Sequence, residues 1–137
     1  MAADCVFCRI LAGLITARRV YEDARCVALL DINPVAWGHA LVIPREHHET
    51  WTDLPPDLAA DLAKASRKVA EAVKRAAGAE GFNLLMNNHR CAGQAVFHAH
   101  FHVIPRKTGD AIDFRWAPKP YAPGEIERVE AAIKSAL

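Results

Sequence analysis

The chain of 137 residues is 52% hydrophobic and 24% charged, with a formal net charge of +1. This length suits one hydrophobic core, so we expect a single domain that spans residues 1–137. The balanced charge gives no electrostatic reason to expect a nucleic acid or an anionic membrane as a partner. No segment approaches the roughly 20 apolar residues of a membrane-spanning helix, and the N-terminus does not resemble a signal peptide. We therefore expect a cytoplasmic protein whose cysteines are reduced.

Short elements are predicted over the first third of the chain. Apolar residues recur at helical spacing within residues 6–16 and predict a short helix that ends at Gly13. Residues 19–31 predict two short strands around a turn at 22–24. Residues 39–43 predict a third strand that ends at Pro44, because proline cannot donate a hydrogen bond to a ladder.

The clearest element is a long helix between Pro55 and Gly78. Proline suits the first turn of a helix, and glycine suits the position after its end. One side carries an apolar stripe at helical period, made of Leu58, Leu62, Ala65, Val69, Val73 and Ala76. The other side is charged and consists of Lys64, Arg67, Lys68, Glu71, Lys74 and Arg75. We interpret the charged side as a solvated face rather than a nucleic-acid surface.

The second half of the chain combines strands with an irregular segment and a last helix. Residues 82–87 and 95–104 predict two more strands, the second of which ends at Pro105. Residues 107–123 are rich in proline and predict no regular element, and residues 125–136 predict a helix. Hairpin-connected strands beside one long and one C-terminal helix favour an α+β fold with an antiparallel sheet.

Three histidines occupy alternate positions of the last predicted strand, namely His98, His100 and His102. Alternate side chains of a strand lie on one face, which leaves three interpretations. The face is a solvated polar surface, or it holds a catalytic zinc ion, or a neutral imidazole acts as a nucleophile. Three residues of one straight strand span too far to close easily on one ion. We favour the nucleophile, because Gly93 and Gln94 just upstream offer amide donors to phosphate oxygens.

Cys5 and Cys8 form a C-x-x-C pair at the start of the predicted first helix. In a reducing compartment this spacing suits two thiolate ligands of a zinc ion, which then needs two further ligands. The alternatives are a pair of buried thiols without a metal and a redox motif. The redox motif is disfavoured, because no thioredoxin-like βαβ pattern accompanies the pair.

Together these motifs resemble the histidine triad (HIT) family of nucleotide hydrolases and transferases, and within it the bacterial Hint-like branch. The resemblance covers nearly the whole chain and rests on motifs in a fixed order: CVFC from Cys5, VYED from Val20, DINP from Asp31, GHALVIPREH from Gly38 and AGQAVFHAHFHVIPR from Ala92. It implies a HIT-like fold with a half-barrel-like antiparallel sheet and flanking helices. It also implies a homodimer whose protomers join their sheets.

The resemblance assigns roles to the triad. His100 would be the nucleophile, which attacks the α-phosphorus and forms a covalent nucleotidyl-histidine that water then cleaves. His98 would orient His100, and His102 would contact the phosphate. Gln94 would bind phosphate or leaving-group oxygens. Ala95 replaces the hydroxyl residue of eukaryotic relatives, so the leaving group would take its proton from His102 or from water.

The implied substrates are purine nucleotide conjugates. Phosphoramidates, dinucleoside polyphosphates and adenylylated metabolites are all candidates. The competing interpretation is a nucleotide-binding sensor or partner-binding module with little turnover. An intact triad argues against it, because binding alone does not need a positioned nucleophile.

The resemblance further implies a nucleotide pocket. Asp31 would bind the ribose hydroxyls, although an aspartate here also suits a turn. Asn87 and Gly93 would contact phosphate and ribose, although Asn87 also suits a hydrogen bond at a strand end. His39 is either a partner of the site residues or a buried core histidine. The apolar residues expected at the nucleotide are Val6, Phe7, Ile10, Leu29, Ile32 and Val96, of which sequence alone reads the first five as core.

The resemblance also completes the zinc site. The implied ligands are Cys5, Cys8, His47 and His98, with His48 as the competitor of His47. Such a closed site of two sulfurs and two nitrogens would be structural. It would join the N-terminus to the triad strand.

Overall fold

The computed structural model describes residues 4–114 and 116–137. Its regular elements are α1 (Val6–Leu11), β1 (Arg19–Glu22), β2 (Cys26–Leu30), β3 (Ala40–Pro44), α2 (Pro56–Ala76), β4 (Gly81–Leu85), β5 (Phe101–Arg106) and α3 (Glu125–Ala136). Short 3₁₀ turns occur at Trp51–Asp53 and Arg90–Ala92. Within the described ranges, no helix combines the length and apolar character that crossing a membrane requires.

The strands form an antiparallel sheet in the order β1-β2-β3-β5-β4, which confirms the predicted α+β class. The β1–β2 hairpin closes at Asp23, whose Oδ1 accepts hydrogen bonds from Arg25 N at 2.8 Å and Cys26 N at 2.7 Å. Aspartate favours turns because its side chain bonds to main-chain N–H groups in this way. Since β5 lies antiparallel to β3, the segment after β3 and the segment before β5 meet at one end of the sheet.

The two faces of the sheet have different partners. α2 covers the face that carries Ala28 and Val103. α1 covers the opposite face, which carries Leu29 and Leu41. Successive side chains of a strand point to opposite faces, so neighbouring residues such as Ala28 and Leu29 join different cores. The sheet is therefore buried on both sides near its centre.

The fifth strand begins later than predicted. It starts at Phe101, whereas residues 95–104 were expected to be extended throughout. Residues 95–100 leave the ladder because Ala99 N bonds to the loop carbonyl of His48 at 2.7 Å. The side chains nevertheless alternate, since Ala99 packs in the α2 core and His100 contacts the α1 side.

Two prolines lie within strands rather than after them. Pro44 is the last residue of β3, and Pro105 lies inside β5, which continues to Arg106. Both lie beyond the paired stretch of β3 and β5, so each has a neighbouring strand on one side only. Proline is tolerated where no neighbour requires its missing N–H.

The two longer helices form near the predicted positions but pack differently. Leu58 and Leu62 of α2 are fully buried, and the charged residues between the stripe positions are exposed, as expected of a solvated face. In α3, by contrast, no residue is buried. Its Ile126 and Ile133 are 55% and 57% exposed. The apolar side of α3 is thus not covered by the described part of this chain.

We expect Leu62→Ala to lower the free energy of unfolding by about 2–5 kcal/mol, because it leaves a cavity in the core under α2. Urea denaturation followed by circular dichroism measures this change. The matched control is Arg67→Ala, an exposed position of the same helix, for which the change should stay within about 0.5 kcal/mol. A loss below about 1 kcal/mol for Leu62→Ala would contradict the described packing.

Candidate active site and metal centre

Hydrogen bonds tie the segment after β3 to the segment before β5. Ala99 N donates to the His48 carbonyl at 2.7 Å. Trp51 N donates to Asn88 Oδ1, also at 2.7 Å. These bonds hold two distant parts of the sequence side by side at one end of the sheet, and the triad begins at this junction.

His98 is fully buried at the junction. Its Nε2 lies 2.9 Å from the Pro44 carbonyl, and a carbonyl only accepts, so Nε2 carries the ring proton. The lone pair of Nδ1 then faces Cys5 Sγ at 3.5 Å, Cys8 Sγ at 3.8 Å and His47 Nδ1 at 3.3 Å. Burial lowers the pKa of His98 to about 4, so the ring is neutral near pH 7.

Cys5, Cys8, His47 and His98 form a compact donor set that can hold a metal ion. Their four ligand atoms all lie within 4.8 Å of one another. Cys5 also caps α1, since its Sγ accepts from Cys8 N at 3.5 Å. Two imidazole nitrogens beside two cysteine sulfurs are donors of the type that bind transition-metal ions. His48, the competitor of His47, is not part of this set.

His100 has a defined tautomer. Its Nδ1 lies 2.7 Å from the His98 carbonyl and therefore donates to it. The lone pair of the neutral ring is consequently on Nε2. Burial lowers the pKa of His100, an effect partly opposed by the bond to His98, so the ring is kept neutral. A neutral imidazole with one nitrogen held by an acceptor is the form that acts as a nucleophile.

His102 lies on β5 and bonds to His39, the residue before β3. Val35 N donates to His39 Nδ1 at 3.2 Å, which leaves the His39 proton on Nε2. That proton is donated to His102 Nδ1 at 3.0 Å, so the proton of His102 is on its own Nε2. Burial lowers the pKa of His39 and that of His102, the latter to about 4. The pair therefore presents one N–H donor, at His102 Nε2.

Asp31, His39 and His102 form a second group of possible metal ligands. The hydrogen bonds argue against a metal here. An ion on His39 Nε2 would require the proton on Nδ1, where it would face the N–H of Val35. The His39–His102 hydrogen bond accounts for the group without an ion.

The predicted nucleotide residues divide into a buried and an exposed part. Phe7 is 5% exposed and packs edge-on against His100, with ring centroids 5.2 Å apart. Ile10 and Leu29 belong to the same buried cluster, against which Val96 packs in part. Val6 and Ile32, by contrast, are 37% and 88% exposed. Phe7, Ile10 and Leu29 are therefore core, as sequence alone suggested, and they lie behind the site. The core interpretation is wrong for Val6 and Ile32, whose side chains are exposed.

Asp31 forms the expected turn and also contacts a residue of the site. Its Oδ1 accepts from Asn33 N at 2.8 Å, which is the turn interpretation. Its Oδ2 lies 3.6 Å from His39 Nε2 at the edge of the site. One carboxylate oxygen thus shapes the turn, while the other faces the triad side.

The loop before the triad brings Asn87, Gly93 and Gln94 together, with Gln94 in an unexpected arrangement. Asn87 Nδ2 donates to the Gly93 carbonyl at 3.4 Å. Gly93 has a φ of +92°, which favours glycine. The amide of Gln94 bonds to the main chain at His89, Glu49 and Val96.

His89 in this loop carries backbone strain that the sequence did not indicate. Its φ of 66° and ψ of 161° fall in a region used almost only by glycine, at a cost of about 1–3 kcal/mol. Sequence reasoning also missed the main-chain partners of the histidines, at Pro44 and Val35. Main-chain groups are common to all residues, so no sequence signal could have identified these two.

Comparison with known proteins identifies the family. The family model described as HIT domain matches residues 12–109. The chain belongs to the HIT domain family. An adenosine 5′-monophosphoramidase of Schizosaccharomyces pombe is 38% identical to this HIT protein over 135 residues, which cover 98% of both chains. An adenylylsulfatase of Arabidopsis thaliana is 42% identical over 114 residues, or 83% of this chain. The match covers only 56% of the length of that plant protein.

Solved structures agree with the family assignment. A protein of Streptococcus mutans UA159 superposes with a TM-score of 0.95 at 38% identity, covering 99% of this HIT protein and 87% of the other chain. A zinc-bound histidine triad family protein of Mycobacterium smegmatis gives a TM-score of 0.77 at 39% identity, with 98% of both chains covered. The predicted family and fold are confirmed.

We expect nitrogen-15 NMR to show His39 and His102 as Nε2–H tautomers and His100 as the Nδ1–H tautomer at pH 7.

The pKa of His102 is about 4 in the folded state and ordinarily 6.5. As the pH falls, His102 therefore becomes protonated in the unfolded chain before it does so in the folded protein. The stability due to neutral His102 is therefore present above about pH 6.5 and lost as the pH falls toward about 4.

The control for the NMR measurement is His39→Ala, which removes the donor to His102 and should leave that ring as a mixture of tautomers. An Nδ1–H tautomer of His102 in the unaltered protein would contradict the hydrogen-bond chain.

Proposed function

We propose that this HIT protein is a nucleotide hydrolase or transferase that cleaves purine nucleotide conjugates at the α-phosphorus through a covalent nucleotidyl-histidine at His100. The observation that carries the proposal is the 2.7 Å hydrogen bond from His100 Nδ1 to the His98 carbonyl, which frees Nε2 for attack. The relatives named as an adenylylsulfatase and an adenosine 5′-monophosphoramidase support a nucleotide joined through its phosphate to a leaving group. Phosphoramidates, dinucleoside polyphosphates and adenylylated metabolites remain the candidates within that class.

The reaction proceeds in two displacements. In the first, the lone pair of His100 Nε2 forms the N–P bond, and the leaving group departs with the electron pair of its own bond to phosphorus. The substituted ring becomes cationic, and the His98 carbonyl stabilises its Nδ1–H through a charge-assisted hydrogen bond. In the second, water attacks phosphorus, the N–P bond breaks, and its electron pair returns to His100 Nε2. The proton of the attacking water passes to solvent, and the 5′-monophosphate is released.

His102 contacts the phosphate in this proposal. Its Nδ1 is occupied by His39, so its remaining N–H at Nε2 is the group available to a phosphate oxygen. His39 is accordingly a positioning residue, since it acts only through His102. Ala95 has no hydroxyl to assist the leaving group, and neutral His102 keeps its only ring proton, so of the two expected sources water supplies the proton of the leaving group.

The nucleotide would be held by residues around the triad. We assign the ribose hydroxyls to Asp31 Oδ2, because a carboxylate oxygen accepts hydrogen bonds from hydroxyl groups. Asn87 and Gly93 lie together on the loop that leads to the triad and would contact phosphate and ribose. The base would contact the exposed Val6 and Ile32, with Phe7, Ile10, Leu29 and Val96 behind it.

We further propose that the metal is a structural zinc ion. Tetrahedral zinc, with Zn–S near 2.3 Å and Zn–N near 2.0–2.1 Å, requires about 3.3 Å between two nitrogens and about 3.5 Å between nitrogen and sulfur. The distances are 3.3 Å from His47 to His98, 3.4 Å from Cys8 to His47 and 3.5 Å from Cys5 to His98. The zinc-bound relative of M. smegmatis supports this choice. With four protein ligands the ion would rigidify His98 and leave no open position for a substrate.

The proposed assembly is a homodimer in the cytoplasm. β4 is an edge strand, and Phe82 and Leu84 on it are 43% and 41% exposed. An exposed apolar edge strand favours pairing with a second copy, which would join the two sheets. A reducing compartment such as the cytoplasm also suits Cys5 and Cys8 as thiolate ligands.

We expect His100→Asn to lower kcat/KM for an AMP phosphoramidate by at least about 1,000-fold, because asparagine lacks the nucleophilic nitrogen. Rapid quenching and mass spectrometry should trap a nucleotidyl adduct on the unaltered protein and none on the variant. Arg67→Ala, exposed on α2, is the control that retains turnover.

Two outcomes would contradict covalent catalysis at His100. One is turnover of His100→Asn within about tenfold of the unaltered protein. The other is nucleotide binding without turnover on a panel of conjugates, which would favour the sensor interpretation.

We expect elemental analysis to find about one zinc ion per chain, and Cys8→Ser to lose most of it together with thermal stability. Cys91→Ser is the matched control, because Cys91 is an exposed thiol outside the donor set. A metal-free protein whose melting temperature is insensitive to a chelator would refute the zinc site.

A further inference from the structure

We propose that Gln94 is a positioning residue whose amide holds the loop before the triad in place, and that it does not itself bind phosphate. The inference deepens the proposed function, because the loop carries the residues assigned to phosphate and leads to His100. It also departs from the motif-based expectation that the Gln94 amide faces the substrate.

The hydrogen bonds of Gln94 use both hydrogens of its amide. The side chain is 4% exposed. Its Nε2 donates to the Glu49 carbonyl at 2.6 Å and to the Val96 carbonyl at 3.1 Å. Its Oε1 accepts from His89 N at 2.7 Å. An amide nitrogen has only two hydrogens, so no N–H of Gln94 is left for a phosphate oxygen.

The three partners also fix the orientation of the amide. Nε2 faces two carbonyl acceptors, and Oε1 faces an N–H donor. The flipped amide would place an oxygen against two oxygens and an NH₂ group against an N–H. The side chain therefore matches its main-chain surroundings in one orientation only, as a structural connector does.

Gln94 also bonds to both ends of the strained residue His89. Its side chain accepts from His89 N, and its own main-chain N donates to the His89 carbonyl at 3.1 Å. Ala92 N donates to the same carbonyl at 3.2 Å. A non-glycine residue keeps such a φ,ψ combination only where surrounding contacts enforce it. Gln94 supplies two of these contacts.

Main-chain groups connect the hydrogen bonds of Gln94 to the proposed nucleophile His100. The Val96 carbonyl accepts from Gln94 Nε2 and also from His98 N at 2.9 Å. The carbonyl of His98 in turn holds His100 Nδ1. Glu49, the other acceptor, follows the proposed metal ligand His47 by two residues. Loss of the Gln94 amide would therefore loosen His100 without removing any group that contacts the substrate.

The test compares Gln94→Met, which keeps the side-chain length and removes all three hydrogen bonds, with the unaltered protein. We expect the His89 amide to exchange with solvent at least about tenfold faster. We expect kcat for an AMP phosphoramidate to fall about 10- to 100-fold, while KM changes by less than about threefold. Gln94→Glu keeps an acceptor for His89 N but places an oxygen against two carbonyls, so its loss should be at least as large.

A second variant tests the link to His89. Adding His89→Gly to Gln94→Met removes the backbone strain and should restore kcat by about tenfold. A double variant no more active than Gln94→Met would overturn the claim that Gln94 restrains His89.

A different result for Gln94→Met would contradict the proposal. A rise of about tenfold or more in KM, with unchanged exchange of the His89 amide, would identify Gln94 as a phosphate ligand and overturn the proposal. If the unaltered protein turned over no conjugate, the proposed function would fail, whereas amide exchange would still decide whether Gln94 holds the loop.

Discussion

The hydrogen bond between the His98 carbonyl and His100 Nδ1 determines what the site can do. It places the lone pair of His100 on Nε2, and it depends in turn on where His98 is held. The ring of His98 is fixed from two directions, by the Pro44 carbonyl at Nε2 and by the Cys5, Cys8 and His47 set at Nδ1. The ring of His98 thus belongs to the candidate metal site, while its main chain positions the proposed nucleophile. A metal that rigidifies His98 would therefore also hold His100 in place, although it would not contact the substrate.

Burial is the second constraint, because it keeps these histidines neutral. The pKa of His98 and that of His102 fall to about 4, and those of His39 and His100 are also lowered. A neutral imidazole has one donor and one acceptor, so a single fixed partner decides which nitrogen remains available. Main-chain groups provide that partner for His98, His100 and His39. Each of these three rings therefore has one defined donor nitrogen and one defined acceptor nitrogen.

The sequence predicted most of the fold and the membership of the site, and the reasons for its failures are specific. Periodicity located α2 and the strands, because burial on one side leaves a regular apolar pattern. It placed the start of β5 at residue 95, whereas the strand begins at Phe101. The Ala99–His48 bond that ends the ladder involves main-chain atoms only, so the sequence carries no signal for it. Motifs named Cys5, Cys8, His47 and His98 as one set, and the structure places these four side chains where they could hold one metal ion. They did not reveal that the amide of Gln94 bonds to the main chain, because residue type alone does not distinguish a glutamine that holds a loop from one that binds phosphate.

The register between β3 and β5 brings the histidines of the candidate site together at one end of the sheet. Leu41 pairs with His102, so His39 near the start of β3 reaches His102, while Pro44 at its end reaches His98. A slip of one residue would move every side chain of β5 to the other face, placing His102 in the α2 core and Val103 toward α1. The cost of burying the unpaired imidazole of His102 among apolar side chains opposes that slip. His102 therefore also helps to specify the strand pairing that positions it, which links the stability of the sheet to the geometry of the site.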